Sequence, residues 1–232
     1  DSVLLLHGGL NGSDTFTGVG DGLADKYRVS YFDRRGHGQT ADTPEPFHYE
    51  AMADETIAVL ESIGGTSHLV GWSDGGNIGL IVAMRRPDLV KRLVVIGANF
   101  KHEAILNFGL TEESPAMQMI AENYMKQSPD GPDHFEEFVT KSLVMWDAEP
   151  NMTVQDLSKI SIPVLVMVGD DDGINLSHTC EMYESIPGAQ LSVIPGASHA
   201  VPMEKPAEVA RLVDEFFSCQ LPVETMMPIR RR

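Results

Sequence analysis

Only two cysteines occur in the 232 residues, Cys180 and Cys219, and neither belongs to a Cys-x-x-Cys pair or lies near a histidine cluster of metal-ligand spacing. A disulfide framework and a bound metal are therefore not expected, and two reduced, structural thiols fit a cytoplasmic protein. No apolar run approaches the roughly 20 residues that cross a bilayer, so no membrane span is expected. Positive charge is scarce: 17 Lys and Arg stand against 34 Asp and Glu, a formal net charge of −17. Binding nucleic acid needs a clustered basic face, and such a balance argues against one. The single basic cluster, Arg230 to Arg232, ends the chain and reads as a disordered tail or remnant. There is no internal repeat and no low-complexity segment. Nor is there an initiator methionine or a charged-then-apolar leader before the strand-like run Val3-Leu4-Leu5-Leu6, as expected where an N-terminal piece is missing.

What is present is an ordinary globular composition, 42% hydrophobic and 22% charged, long enough for one large α/β domain. Short apolar, β-branched runs alternate with helical patterns, which predicts a mostly parallel sheet with helices on both faces. The strand candidates are Val3 to Leu6, Arg28 to Phe32, His68 to Val70, Arg92 to Ile96, Val164 to Val168 and Leu191 to Ile194. Helical spacing of apolar residues marks Tyr49 to Ile63, Gly75 to Met84, Ser177 to Ile186 and Pro206 to Phe217. Residues 99–159 break the alternation; they hold no convincing strand and are rich in Met, Phe and acidic residues. The expected organisation is a core of residues 1–98 and 160–232, with residues 99–159 a helical cap over the carboxyl edge of the sheet. Ligands bind at that edge in open α/β sheets.

The run from His68 through Gly71-Trp72-Ser73-Asp74-Gly75 to Met84 is a strand, a Gly-x-Ser-x-Gly turn and a helix. A turn that tight leaves room only for small residues two before and two after the serine, and Gly71 and Gly75 meet this demand. Ser73 is then raised into the site at a helix amino end, where free N–H groups and the dipole favour developing negative charge.

A serine hydroxyl becomes a useful nucleophile when a histidine takes its proton and a carboxylate orients the histidine. His199 follows the last strand candidate in Gly196-Ala197-Ser198-His199, ahead of the final helix. An acid is expected after Val164 to Gly169, where Asp170, Asp171 and Asp172 stand together. An oxyanion needs two backbone N–H donors, here that of Asp74 and that of Gly9 or Leu10 in the loop after the first strand. His7 in that loop reads as structural.

These motifs, with Asp33-Arg34-Arg35-Gly36-His37-Gly38, resemble the α/β-hydrolase family across nearly the whole chain. The resemblance implies the α/β-hydrolase fold and, through a Gly-x-x-Asp pattern, Asp172 as the acid, with Asp171 the alternative. The Gly-Trp-Ser-Asp-Gly-Gly elbow and Gly97-Ala98-Asn99 are most similar to the valacyclovir-hydrolase, or biphenyl-hydrolase-like, branch. There the Asp after the serine binds a substrate amino group, a role implied for Asp74; a helix-N-terminal residue favoured by the dipole is the other reading. The leading β-hairpin usual in the family is absent before Asp1.

The expected function is hydrolysis of a small-molecule carboxylic ester through an acyl-enzyme, without cofactor, by a monomer or homodimer. Trp72 and Asp74 beside the serine, and Met145 and Trp146 from the Met- and aromatic-rich insertion, are expected to bind substrate. The same residues would serve a carbon–carbon bond, lactone or amide hydrolase, or a low-turnover ligand-binding protein.

Overall fold

The computed structural model describes residues 1–106, 110–111, 113–227 and 229, so the basic cluster at Arg230 to Arg232 lies outside the described residues. In chain order the elements are β1 (Ser2–Leu6), α1 (Thr17–Leu23), β2 (Arg28–Tyr31), α2 (Tyr49–Ser62), β3 (Ser67–Trp72), α3 (Asp74–Arg85), β4 (Val90–Ile96), α4 (Pro115–Gln127), α5 (Phe135–Ala148), α6 (Val154–Leu157), β5 (Val164–Asp171), α7 (Leu176–Ser185), β6 (Gln190–Ser198), α8 (Val201–Glu204) and α9 (Pro206–Ser218). Among the described residues the strands form one six-stranded sheet in the order β2-β1-β3-β4-β5-β6, with every pairing parallel. No helix of the described residues is long and apolar enough to cross a membrane.

The near-continuous apolar strands follow from this arrangement, because both faces of the sheet are covered. Side chains alternate along a strand. Leu4, Leu6, Leu69, Leu93, Val95, Val164 and Val166 face one cluster, with residues of α2, α3 and α7. Val3, Leu5, Val70, Val94, Ile96, Leu165 and Met167 face the other, with α1 and α9. The apolar stripe of α9 contributes Val209, Val213, Phe216 and Phe217 to that second cluster.

Residues 99–159 carry α4, α5 and α6 between β4 and β5, and the described residues among them form no strand, only the isolated bridges Lys101 to Asn151 and Ile105 to Ile174. Helix α4 starts at Ser114, whose hydroxyl accepts from the Met117 N–H, followed by Pro115 in the first turn. Phe138 and Met145 of α5 are buried against the core.

Asp42, in the loop after β2, fastens this segment. Its side chain is 2% exposed and accepts from Arg35 Nη1 at 3.0 Å, Lys141 Nζ at 2.7 Å and His134 Nε2 at 3.0 Å. Burial pushes the Asp42 carboxyl up, and hydrogen bonds from Lys141, the Thr43 N–H and His134 outweigh it, so the net shift is downward. Among the described residues, removing Asp42 leaves Arg35 with only Glu55 at 3.8 Å, and Lys141 and His134 with only Glu137 at 3.3 and 3.4 Å, as anionic partners. Asp42→Ala is therefore expected to lower the unfolding free energy by about 3 kcal/mol, measured by urea denaturation at pH 7. A loss below about 0.5 kcal/mol would mean that solvent serves Arg35 and Lys141 equally well.

Candidate active site

The first strand-to-helix turn of interest places Ser73 between β3 and α3 with φ 54° and ψ −118°, outside the region that serine ordinarily occupies. Such a backbone costs on the order of 1–3 kcal/mol and persists because its surroundings hold it. The reason for the flanking glycines is visible: a Cβ at Gly75 would collide with the Leu6 carbonyl, and one at Gly71 with the Gly75 carbonyl. Ser73 N–H donates to the Ile96 carbonyl at 2.8 Å, tying the turn to β4.

Two further strands deliver the other groups. Asp171 of β5 is the register partner of Ser198 of β6, after an irregularity that begins at Gly169. The next residues, Asp172 and His199, therefore emerge side by side. His199 Nδ1–H donates to Asp172 Oδ1 at 2.8 Å, which leaves Nε2 to accept from Ser73 Oγ at 2.9 Å. Asp172 Oδ1 also accepts from the Ile174 N–H at 2.9 Å, and its side chain is 1% exposed against 20% for His199. The neighbouring aspartates do other things: Asp170 accepts from the Gly196 and Ala197 N–H groups, while Asp171 is exposed on the cavity rim.

Trp72 Nε1–H donates to the His199 carbonyl at 2.7 Å, fixing the histidine's backbone from beneath. His7 and Arg34 brace the loop after β1. Arg34, fully buried, donates to the His7 carbonyl at 2.6 Å and the Gly8 carbonyl at 3.2 Å, and its own N–H reaches His7 Nε2 at 3.2 Å. Leu10, in the same loop, has φ 57°. On the other side, Asn77 of α3 and Asn99 pair through their amides: the Asn99 N–H donates to Asn77 Oδ1 at 2.9 Å and Asn77 Nδ2 to Asn99 Oδ1 at 3.0 Å. His178 stacks on Phe100 at 4.0 Å and accepts its N–H at 3.1 Å; burial, then Lys101, pushes this imidazole down to about 4, which keeps it neutral and able to accept.

A cavity of about 260 Å³ opens over Ser73. Gly9, Leu10, Trp72, Asp74 and His199 line it from the core, and Ile105, Leu110, Met119, Ile120 and Trp146 from residues 99–159. Met145 does not line it: one position before Trp146 on α5, it turns into the hydrophobic core and is 3% exposed. Asp74 is buried and its Oδ1 accepts from the Tyr49 hydroxyl at 2.7 Å. Burial raises the Asp74 carboxyl, and Arg34, then Tyr49 and Trp146, pull it part of the way back. Reading the sequence did not single out Tyr49, Asn77 or His178; each acts through a partner far along the chain.

The model of the alpha/beta hydrolase family matches residues 3–212. This chain belongs to the alpha/beta hydrolase family. The hydrolase is 27% identical to the putative carbamate hydrolase RutD of Caulobacter sp. (strain K31), over 93% of this chain and 90% of that protein. It is 26% identical to the sn-1-specific diacylglycerol lipase ABHD11 of Mus musculus, over 94% of this chain and 81% of that protein. In fold it is similar to a serine hydrolase involved in carbazole degradation, the CarC enzyme, with a TM-score of 0.76 at 23% identity, over 94% of this chain and 91% of that one. Family and relatives together make the chain an enzyme of hydrolase type.

Proposed function

We propose that this hydrolase cleaves a carboxylic ester of a small molecule, with Ser73 as nucleophile, His199 as base and Asp172 as the orienting acid. The observation that carries the reading is the unbroken hydrogen-bonded line from Asp172 through His199 to Ser73 Oγ, at 2.8 and 2.9 Å. Ser73 Oγ attacks the ester carbonyl while His199 Nε2 takes its proton. The tetrahedral oxyanion is held by the Asp74 N–H, in the first turn of α3 where N–H groups lack helical partners, and by the N–H of Gly9 or Leu10. His199 then returns the proton to the leaving alcohol. Water, deprotonated by the same imidazole, clears the acyl-enzyme. Residues 99–159 act as the cap, closing an apolar wall over the acyl or alcohol group. An ester relative, the diacylglycerol lipase, supports the bond type.

Intact-protein mass spectrometry after a fluorophosphonate probe tests the reading. One adduct is expected on the wild type and none on Ser73→Ala. A folded wild type that takes no adduct would instead favour a ligand-binding protein on this scaffold.

A further inference from the structure

The Asp74 carboxylate forms part of the cavity wall, yet it is already engaged. Trp146 reaches it from α5, its Nε1–H donating to Oδ1 at 3.0 Å and to Oδ2 at 3.2 Å, while Tyr49 of α2 donates to Oδ1. The contact is tight on the remaining side as well: a Cβ at Gly9 would collide with both Asp74 Oδ2 and the Trp146 ring. A carboxylate offers about four acceptor sites, and these contacts use three. Its charge is met by the fully buried Arg34 guanidinium nearby. An ammonium brought to Asp74 would have to displace the indole and sit in the field of Arg34 without bulk water to screen it. Among the described residues, the rest of the wall from residues 99–159 (Asn99, Ile105, Leu110, Ala116, Met119 and Ile120) carries no charge, and the other carboxylate of the cavity, Asp171, lies exposed at its rim.

We infer that Trp146 is a specificity-determining residue of this ester hydrolase: its indole N–H holds the Asp74 carboxylate away from substrate, so that the site takes neutral, apolar acyl groups rather than aminoacyl groups. The inference rests on the ester-hydrolase reading above. It departs from the amino-group role that the resemblance implied for Asp74. The size is consistent: a cavity of about 150 Å³ holds one benzene, so about 260 Å³ holds a branched or aryl acyl group without a long chain.

The test uses a matched pair, methyl isobutyrate and alanine methyl ester, in which a methyl group replaces the ammonium. The wild type is expected to have the higher kcat/KM on methyl isobutyrate. Trp146→Phe keeps an aromatic ring and removes the donor. It is expected to raise the alanine-to-isobutyrate ratio of kcat/KM at least 10-fold, through a lower KM for the ammonium ester, while any change in kcat is shared by both. Tyr49→Phe, which frees a site on the same carboxylate, should shift the ratio the same way and serves should Trp146→Phe fold poorly. A wild type that prefers alanine methyl ester and loses the preference in Asp74→Asn overturns the inference, as does an unchanged ratio in both variants. Loss of probe labelling in the wild type overturns the ester-hydrolase reading and this inference with it; labelling with an unchanged ratio overturns this inference alone.

Discussion

Asp172→Asn is expected to lower kcat on a small ester by about 10⁴-fold with little change in KM. The side chain keeps its size, but its amide can present an N–H to His199 Nδ1 where Asp172 Oδ1 now accepts at 2.8 Å. The imidazole then favours the tautomer with its proton on Nε2, the nitrogen that must receive the proton of Ser73 Oγ. The buried carboxylate also stabilises the imidazolium formed during attack, and the neutral amide does not. A factor of 10⁴ corresponds to about 5.5 kcal/mol of transition-state stabilisation. Steady-state kinetics on one ester, with a thermal melt to verify the fold, measures it. A loss below 10-fold would mean that Asp172 only fills space. Asp171→Asn is the control, since that carboxylate lies exposed on the rim; Asp170→Asn is a poorer one because Asp170 also holds the end of β6.

Acid is expected to destabilise the protein well before its carboxylates titrate. His7 and His37 are buried at 0% and 1% exposure. Burial, followed by the Arg34 charge, pushes His37 down to about 3 and holds His7 well below the usual imidazole range. Both stay neutral in the native protein, whereas in the unfolded chain they take up protons as the pH falls through about 6.5. Burial and nearby cations push His68 and His178 down to about 4 as well, so the unfolded state binds up to four more protons below that point. The unfolding free energy then falls with a slope approaching about 5.4 kcal/mol per pH unit as pH drops from 6.5 toward 5. Asp74, whose carboxyl is raised, acts in the opposite sense only in the carboxylate range, so pH 6.5 to 5 isolates the histidines. Urea denaturation at intervals across that window gives the slope. His37→Phe, set among Phe47 and Phe138, should reduce it by about one proton. A flat wild-type profile would show that these four imidazoles are protonated in the folded state.

The inner strands were legible because burial on two faces writes them as plain apolar runs, while the edge strands β2 and β6 are only partly buried; all six predicted segments fall inside or overlap β1 to β6. Helix α1 was not. Its Thr-Gly-Val-Gly-Asp-Gly-Leu sequence contradicts helical propensity, and the cause is tertiary: α1 lies so close to α9 and the turn before it that a Cβ at Gly18 would press on Pro206 and one at Gly22 on Ala210. Ser73 and His199 could be found because each follows a strand in a short motif, whereas strand position narrowed the acid only to Asp170, Asp171 or Asp172 and the family resemblance chose Asp172. The groups that hold them could not. Arg34 and His7 are 27 residues apart, Tyr49 and Asp74 are 25 apart, and no local pattern marks either pairing. Composition marked α5 as a source of pocket residues but could not separate Met145 from Trp146. Adjacent positions on a helix point about 100° apart, and only the packed structure decides which one meets the cavity.

The hydroxyl of Ser73 and the imidazole that meets it are separated by 126 residues of chain. Between them lie β4, residues 99–159 and β5, all of which must dock before β6 can bring His199 into place. Contacts of such long range are slow to form and carry little reward until the intervening loops are closed. On the proposed reading, no fragment that lacks β3, β5 or β6 can bring Ser73, Asp172 and His199 together, so turnover would report the assembly of that part of the sheet.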